Sequence, residues 1–400
     1  SSFVASLLPE QAVRLTAKET MGILRRRLGD KLDLALHCSE TGSGAREHRE
    51  PVASPVASNP DSRWLKSSNV VGINVRTVGN FWNVVKYALT LSDAQDAIHL
   101  LPIWEPGVVG SLYGMSSWQI NDEFYSSELA KVCPELSCVE RQLEAAINLL
   151  HGMGKAVGMD VIPHTDRFSE IVLASPQHFE WLQREGTEIV DHSENLHERV
   201  QVCIMRFLAE QGTAADRVDY PASRAEFFCQ GFAEEKRLDI LFGMGQERIK
   251  RGERRNRLVK YLQAYGYETV PATMAPPFRG LKIDTETEYV DSQGNVWYDY
   301  SLIAPQSMSR VFNPLTRYKL YGRLHDNADW EIDFDNPRHD VWRYVVEKYA
   351  GLQQRYGFDF MRGDMSHVQM RADGVPDRID DFYDILRSVK RTIQASGAPY

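Results

Sequence analysis

Residues 69–162 predict an α/β fold of parallel strands joined by crossover helices, and two observations carry that expectation. The runs Val70-Val71-Gly72-Ile73-Asn74-Val75, Ala97-Ile98-His99-Leu100-Leu101-Pro102-Ile103-Trp104 and Ala156-Val157-Gly158-Met159-Asp160-Val161-Ile162 are apolar almost throughout rather than alternating. Strands covered on both faces have that character. Amphipathic stretches at residues 80–91 and 137–150 separate the runs, which gives the order strand, helix, strand, helix, strand. The alternation stops after the third strand and resumes at Asp333. It then leads to a fourth apolar run, Gly357-Phe358-Asp359-Phe360-Met361-Arg362-Gly363-Asp364.

Taken in order, residues 1–66 read as an N-terminal helical segment and loop. Residues 11–32 are helical, with Arg25-Arg26-Arg27 as a solvated face, and residues 37–64, rich in Ser, Gly, Pro and Glu, are a long loop. Residues 67–167 hold the first three strands. Within them residues 105–127 read as a loop, Ser137 with Glu140 as a capping box, and Gly152 with Gly154 as the stop of the helix that follows. Residues 168–330 are too long for an ordinary connection and form an inserted domain. Its expected elements are helices at 176–183 and 195–209, a strongly basic helix at 248–264 with a solvated face, and a hairpin turning at 291–295. Residues 331–400 hold the fourth strand and a last helix at 379–395. Asn336 reads as an N-cap with Pro337 at the first helical position, and Trp342, Val345, Val346, Tyr349 and Leu352 line one helix face.

Composition narrows the function. The 400 residues are 43% hydrophobic and 25% charged, with a net charge of −9. Acidic balance argues against a nucleic-acid or anionic-membrane partner and fits a soluble enzyme of neutral substrates. No apolar run reaches membrane-spanning length and no secretory signal opens the chain, so a cytoplasmic location is expected. Five scattered cysteines lack metal-ligand spacing. Cys133 and Cys138 flank Pro-Glu-Leu-Ser and could be bridged, but reduced, buried thiols are the plainer reading. Oligomeric state leaves no mark on the sequence.

Polar residues gather at the carboxyl ends of the strands. The stretches are Leu112-Tyr113-Gly114-Met115-Ser116-Ser117-Trp118-Gln119-Ile120-Asn121-Asp122, Asp160-Val161-Ile162-Pro163-His164 and Arg362-Gly363-Asp364. Such a gathering is how a β/α barrel builds a site. Arg362 and Asp364, two apart in an extended segment, point to one face. There the guanidinium can hold the carboxylate ionised, which suits a nucleophile; the plain alternative is a structural ion pair closing the strand.

Together these stretches resemble the α-amylase superfamily, glycoside hydrolase family thirteen. The resemblance runs from about residue 70 to 400, with the insertion where that family carries its domain B, and with Asp333-Phe334-Asp335-Asn336-Pro337 like the segment before its fourth strand. It implies a (β/α)8 TIM-type barrel, of which this chain holds the N-terminal half. It also implies a retaining enzyme of α-linked glucosides or oligosaccharides, either a hydrolase or, as alternatives, a transglycosylase or sugar phosphorylase. Asp364 matches the nucleophile and Arg362 its arginine partner. Asp160, Trp118 (where the family usually has a sugar-stacking tyrosine), Tyr113, His164 and His367 are the expected substrate-binding residues, and Asp122 a structural aspartate.

Departures from the family pattern shape the remaining expectations. The third-strand motif usually ends Asn-His, whereas this chain has His164-Thr165. Either a loop one residue shorter makes His164 the sugar-binding histidine, or that histidine is absent. His367 stands where many relatives have lysine. Loop hydrogen bonding is the plain alternative for both histidines. The missing asparagine gives no support to the calcium site of many relatives, so no cofactor and no metal are expected. The family's acid/base glutamate ends a fifth strand, which this chain does not reach, so the 400 residues are expected to be a fragment of a longer protein. Glu105 reads as a loop residue at the cleft, not as a replacement acid. Two rivals follow: a non-catalytic amylase-like carbohydrate-binding or scaffolding protein, and an unrelated metal-dependent barrel using His164, Asp160 and Asp364 as ligands.

Overall fold

The computed structural model describes residues 7–37, 52–59, 61–107, 110–214, 219–272, 281–292, 294–302, 314–364 and 380–396. Its centre is a four-stranded sheet of Val70–Ile73, Ala97–Leu100, Ala156–Val161 and Phe360–Gly363, in that spatial order. Every neighbouring pair is parallel. The strands are the four apolar runs, trimmed at their ends. The sheet is open among the described residues, with edges at the first and fourth strands.

Crossover helices supply the cover that parallel strands require. Phe81–Ala88 starts at Asn80, whose side chain accepts the Asn83 N–H, and it buries Phe81, Trp82, Val84 and Val85. Val139–Gly152 buries Leu143, Ile147 and Leu150. Its N-cap is Cys138, which makes no side-chain bond, so the expected Ser137 cap falls one position too early. His339–Tyr356 buries Trp342, Val345, Val346 and Tyr349 and ends on Gly357 in the left-handed region, with φ 76°, where a residue without Cβ fits best. Asn336 and Pro337 do not open this helix. They end the strand Ile332–Pro337, which pairs with Tyr321–Arg323, and Arg338 is the N-cap.

Three other sequence expectations change, two through partners distant in the chain and one through a local cap and turn. The loop at 105–127 contains the paired strands Trp104–Pro106 and Met115–Ile120. Its serines look loop-like, but Ser117 Oγ donates to the Glu105 carboxylate at 2.9 Å and Ser116 Oγ to the Glu105 carbonyl at 3.3 Å. The expected helix at 176–183 is a 3-10 turn, Pro176–His178, followed by the strand Trp181–Glu185, which lies between Glu188–Asp191 and Tyr267–Thr269. The expected helix at 11–32 is broken into Pro9–Ala12, Ala17–Leu28 and Lys31–Leu36. Thr16 caps the second piece through the Glu19 N–H, and Gly29 turns the chain at φ 57°. Leu24, Leu28, Leu32 and Ala35 from these pieces join the main core.

The segment at 168–330 carries helices His197–Gln211, Glu234–Phe242 and Arg248–Ala264 and the hairpin Leu281–Val290 with Val296–Leu302. Phe207, Ile240 and Leu258 belong to the same buried cluster as the sheet, while Leu182, Val270, Leu281, Ile283, Tyr300 and Trp330 form a second. The basic helix is not merely a solvated face. Arg251 is buried against Glu170, and Arg254 is buried with its Nε donating to the Leu241 carbonyl at 2.8 Å. Cys133, Cys138, Cys203 and Cys229 are free. Only Cys203 is buried, while Cys138 and Cys229 are exposed; Cys38 lies outside the described residues.

Two features of this packing have measurable consequences. Gly158 on the third strand faces Phe360, and a Cβ built on it would overlap the Phe360 ring. Gly158→Ala is therefore expected to displace that ring and cost about 1–3 kcal/mol, read as a lower urea midpoint at unchanged slope. Lys319 is buried, with its Nζ donating to the Glu194 carbonyl at 3.0 Å, and burial pushes its pKa down to about 8. The unfolded chain then holds more protons than the folded one between that value and the ordinary 10.5. Stability should rise with pH across that window. Lys319→Met should flatten the rise, as followed by denaturation midpoints at pH 8 and 10.

Among the described residues no helix is long and apolar enough to cross a membrane.

Candidate active site

Register builds the site in layers. Across the sheet, His99 stands opposite Gly158 and Gly158 opposite Phe360; two residues further up, Asp160 stands opposite Arg362. Side chains two apart share a face, so these groups rise on one side of the sheet toward the carboxyl ends of the strands. The Asp364 N–H bonds the Val161 carbonyl at 2.9 Å, which continues the pairing and fixes where that carboxylate starts.

Asp160 is the hub. Its Oδ1 accepts from Arg362 Nη1 at 2.9 Å and lies 2.9 Å from His99 Nε2. Its Oδ2 accepts from the Tyr113 hydroxyl at 3.0 Å. Arg362 uses its other terminal nitrogen, Nη2, to donate to Asp364 Oδ1 at 2.9 Å. One guanidinium thus bridges two carboxylates on neighbouring strands. The Asp160 side chain is 2% exposed, against 26% for Asp364 and 57% for Arg362, so the buried carboxylate is the anchor and Asp364 faces outward.

Electrostatics follow that geometry. Burial acts to raise the Asp160 pKa, but the hydrogen bonds from His99, Arg362 and Tyr113 outweigh it and hold the carboxyl below its ordinary value. Burial, then the bond to Asp160, pushes Tyr113 up to about 12, so its hydroxyl remains a donor at neutral pH. Arg362 is raised by its bond to Asp160 and stays a cation. A guanidinium between two carboxylates occupies the place a metal would take between Asp160 and Asp364, so the metal-dependent rival fits poorly.

The structure brings Asp160, Tyr113, Arg362 and Asp364 together, and it places Trp118, His164, Asp122 and Glu105 elsewhere. Trp118 lies in an aromatic cluster, edge-on to Trp104 and Tyr349 with centroids 5.6 Å away in each case, and its Nε1 donates to the Tyr344 hydroxyl at 3.1 Å. His164 is fully buried in the short strand His164–Asp166, opposite Arg317, and is not among the three donors on Asp160. Asp122 pairs with Arg248 of the basic helix, whose Nη2 also holds the Ile120 carbonyl at 3.0 Å. Glu105 sits in a strand and accepts from Ser117. His367 lies outside the described residues.

Sequence reasoning missed His99. A lone imidazole inside an otherwise apolar strand was the available signal, and it reads equally well as an ordinary core histidine. Away from this site, His325, Asp329 and Glu331 place potential ligand atoms within 4.8 Å of one another, the single such group among the described residues; His325 is exposed.

No known protein-family model matches the chain, and no curated protein does so. Solved structures do. A trehalose-6-phosphate hydrolase of Bacillus licheniformis aligns at 18% identity over 31% of this chain and 23% of its own, with a TM-score of 0.24. A noncanonic maltogenic α-amylase of Thermotoga neapolitana aligns at 20% identity over 37% of each chain, with a TM-score of 0.25. An α-amylase from H. orenii aligns at 12% identity over 84% of this chain and 46% of its own, with a TM-score of 0.37. The chain spans less than half the length of each of these proteins.

Proposed function

We propose that the protein is a retaining α-glycosidase acting on α-glucosides or α-glucans, with Asp364 as nucleophile. The observation that carries this reading is the Arg362 bridge, which ties the outward-facing Asp364 to the buried, ionised Asp160 at 2.9 Å on each side. In the proposed reaction an Asp364 oxygen attacks the anomeric carbon while the bond to the leaving oxygen breaks, and that oxygen takes a proton from a second carboxyl about 5–5.5 Å away. Water then attacks the glycosyl-enzyme, gives its proton to that second carboxyl and releases the sugar. The second carboxyl is assigned to none of the residues described. Tyr113 and Asp160 border the place where the sugar would sit, and Trp118, His164 and His367 remain proposed binding residues on the resemblance alone. A cytoplasmic setting belongs to this reading.

If phosphate or a second sugar replaces water, the same intermediate gives a phosphorylase or a transglycosylase. The reading from another class is a carbohydrate-binding or scaffolding protein without turnover.

The test is incubation of the full-length protein with 5-fluoro-α-glucosyl fluoride, followed by peptide mass mapping. Fluoride leaves without protonation, so the reagent probes the nucleophile apart from the acid. A fluoroglucosyl mass on the peptide holding Asp364 is expected. Binding of maltooligosaccharide with no label would favour the non-catalytic reading. A panel of α-glucosides with and without phosphate then separates hydrolysis from transfer.

A further inference from the structure

We propose that His99 is a positioning residue for the nucleophile: it locks the Asp160 carboxylate in the orientation from which Arg362 reaches Asp364. The inference rests on the glycosidase reading and goes beyond it, since no motif of the resemblance includes this histidine.

His99 is held from two sides. Its ring stacks on Phe360 at 5.7 Å with an interplanar angle of 23°, and its Nε2 lies 2.9 Å from Asp160 Oδ1. The stack forms because Gly158, on the strand between them, has no Cβ to block the Phe360 ring. Asp160 Oδ1 is shared between His99 and Arg362 Nη1, while Oδ2 holds Tyr113. Without His99, one of the three bonds that set the carboxylate plane disappears. The plane can then turn toward Tyr113, and the Arg362 fork follows it away from Asp364. An ionised carboxylate only accepts, so His99 must carry its proton on Nε2. This gives a stereochemical signature. Glutamine places an amide N–H near the Nε2 position, whereas leucine fills the space and donates nothing.

The experiment compares wild type, His99→Gln and His99→Leu in the full-length protein for their rates of labelling by 5-fluoro-α-glucosyl fluoride, with melting temperatures confirming that each folds. His99→Leu is expected to lower the saturating labelling rate by roughly 10–100-fold, the cost of misplacing a reacting group by about 1 Å, with little change in the reagent concentration giving half-maximal rate. His99→Gln should recover most of the loss. Equal rates in wild type and His99→Leu, or no recovery in His99→Gln, would overturn the role of His99 and leave the glycosidase reading standing. Absence of label in wild type would instead sink that reading and this inference with it. Nitrogen-15 NMR of the histidine rings tests the contact without any chemistry: a ring Nε2–H signal should vanish in His99→Gln and shift in Asp160→Asn. A His99 ring with no proton on Nε2 would overturn the proposal whatever the labelling shows.

Discussion

Asp364→Asn is expected to lower turnover of α-glucosides by at least about 10⁴-fold, with the fold and sugar binding nearly unchanged. The substitution exchanges one oxygen for an NH2 of similar size. The remaining side-chain oxygen of the amide can still accept from Arg362 Nη2, and the main-chain bond to the Val161 carbonyl is untouched. What disappears is the charge and the lone pair that attack the anomeric carbon, and an amide does not replace them. The measurements are steady-state turnover of the full-length protein, its melting temperature, and calorimetric titration with a maltooligosaccharide. Wild-type turnover in the variant would remove Asp364 as nucleophile, whatever else the protein does with sugars.

Glu180→Gln is expected to destabilise the protein by about 3–5 kcal/mol, the usual cost of breaking a buried ion pair from one side. Glu180 is buried. Its Oε2 accepts from Arg317 Nε and Nη2, each at 3.2 Å, and its Oε1 lies 3.3 Å from Arg323 Nε. Both arginine side chains are about as buried as Glu180 itself, at 5% and 3% exposure. Removing the anion leaves two buried cations facing each other with Lys319 nearby. Burial acts to raise the Glu180 pKa, but Arg317, Arg323 and Lys319 more than reverse it and hold the carboxyl below its ordinary 4.5. A depressed carboxyl pKa gives stability that is present above the unfolded value and is lost as pH falls through the folded one. Wild type should therefore lose stability below about pH 4.5, and the Gln variant should lose less over the same range. Urea denaturation at pH 7 and at pH 4 measures both effects. A variant as stable as wild type at pH 7 would mean that the charges are solvated rather than buried.

Much of the central sheet was legible in the sequence because its signals are local. Four runs of apolar residues, the first three separated by amphipathic stretches and the fourth preceded by one, led to four parallel strands. The pairing of Arg362 with Asp364 was legible for the same reason, since two residues of one strand share a face by backbone geometry alone. Asp160 could be singled out as a polar group at a strand end and Tyr113 only through the family resemblance, and their contact was not legible in either. Several of the errors fall where the deciding partner is far along the chain. Trp181–Glu185 is a strand because Tyr267–Thr269 lies beside it, and Ile332–Pro337 is a strand because Tyr321–Arg323 does. Arg251 and Arg254 read as solvated until Glu170 and the Leu241 carbonyl are set against them.

By itself the sequence determined the α/β class, the four apolar strands and the arginine–aspartate pair that shares a face at the tip of the fourth. Tertiary structure alone decided that Asp160 is the buried hub, that His99 reaches it, and that Trp118 points its indole N–H at Tyr344 instead of joining the Asp160 network. The reason is physical. Periodicity and side-chain type report which face a residue occupies along its own strand. Which atoms meet across a sheet depends on register between strands many residues apart, and a shift of one residue would turn His99 and Asp160 to opposite faces.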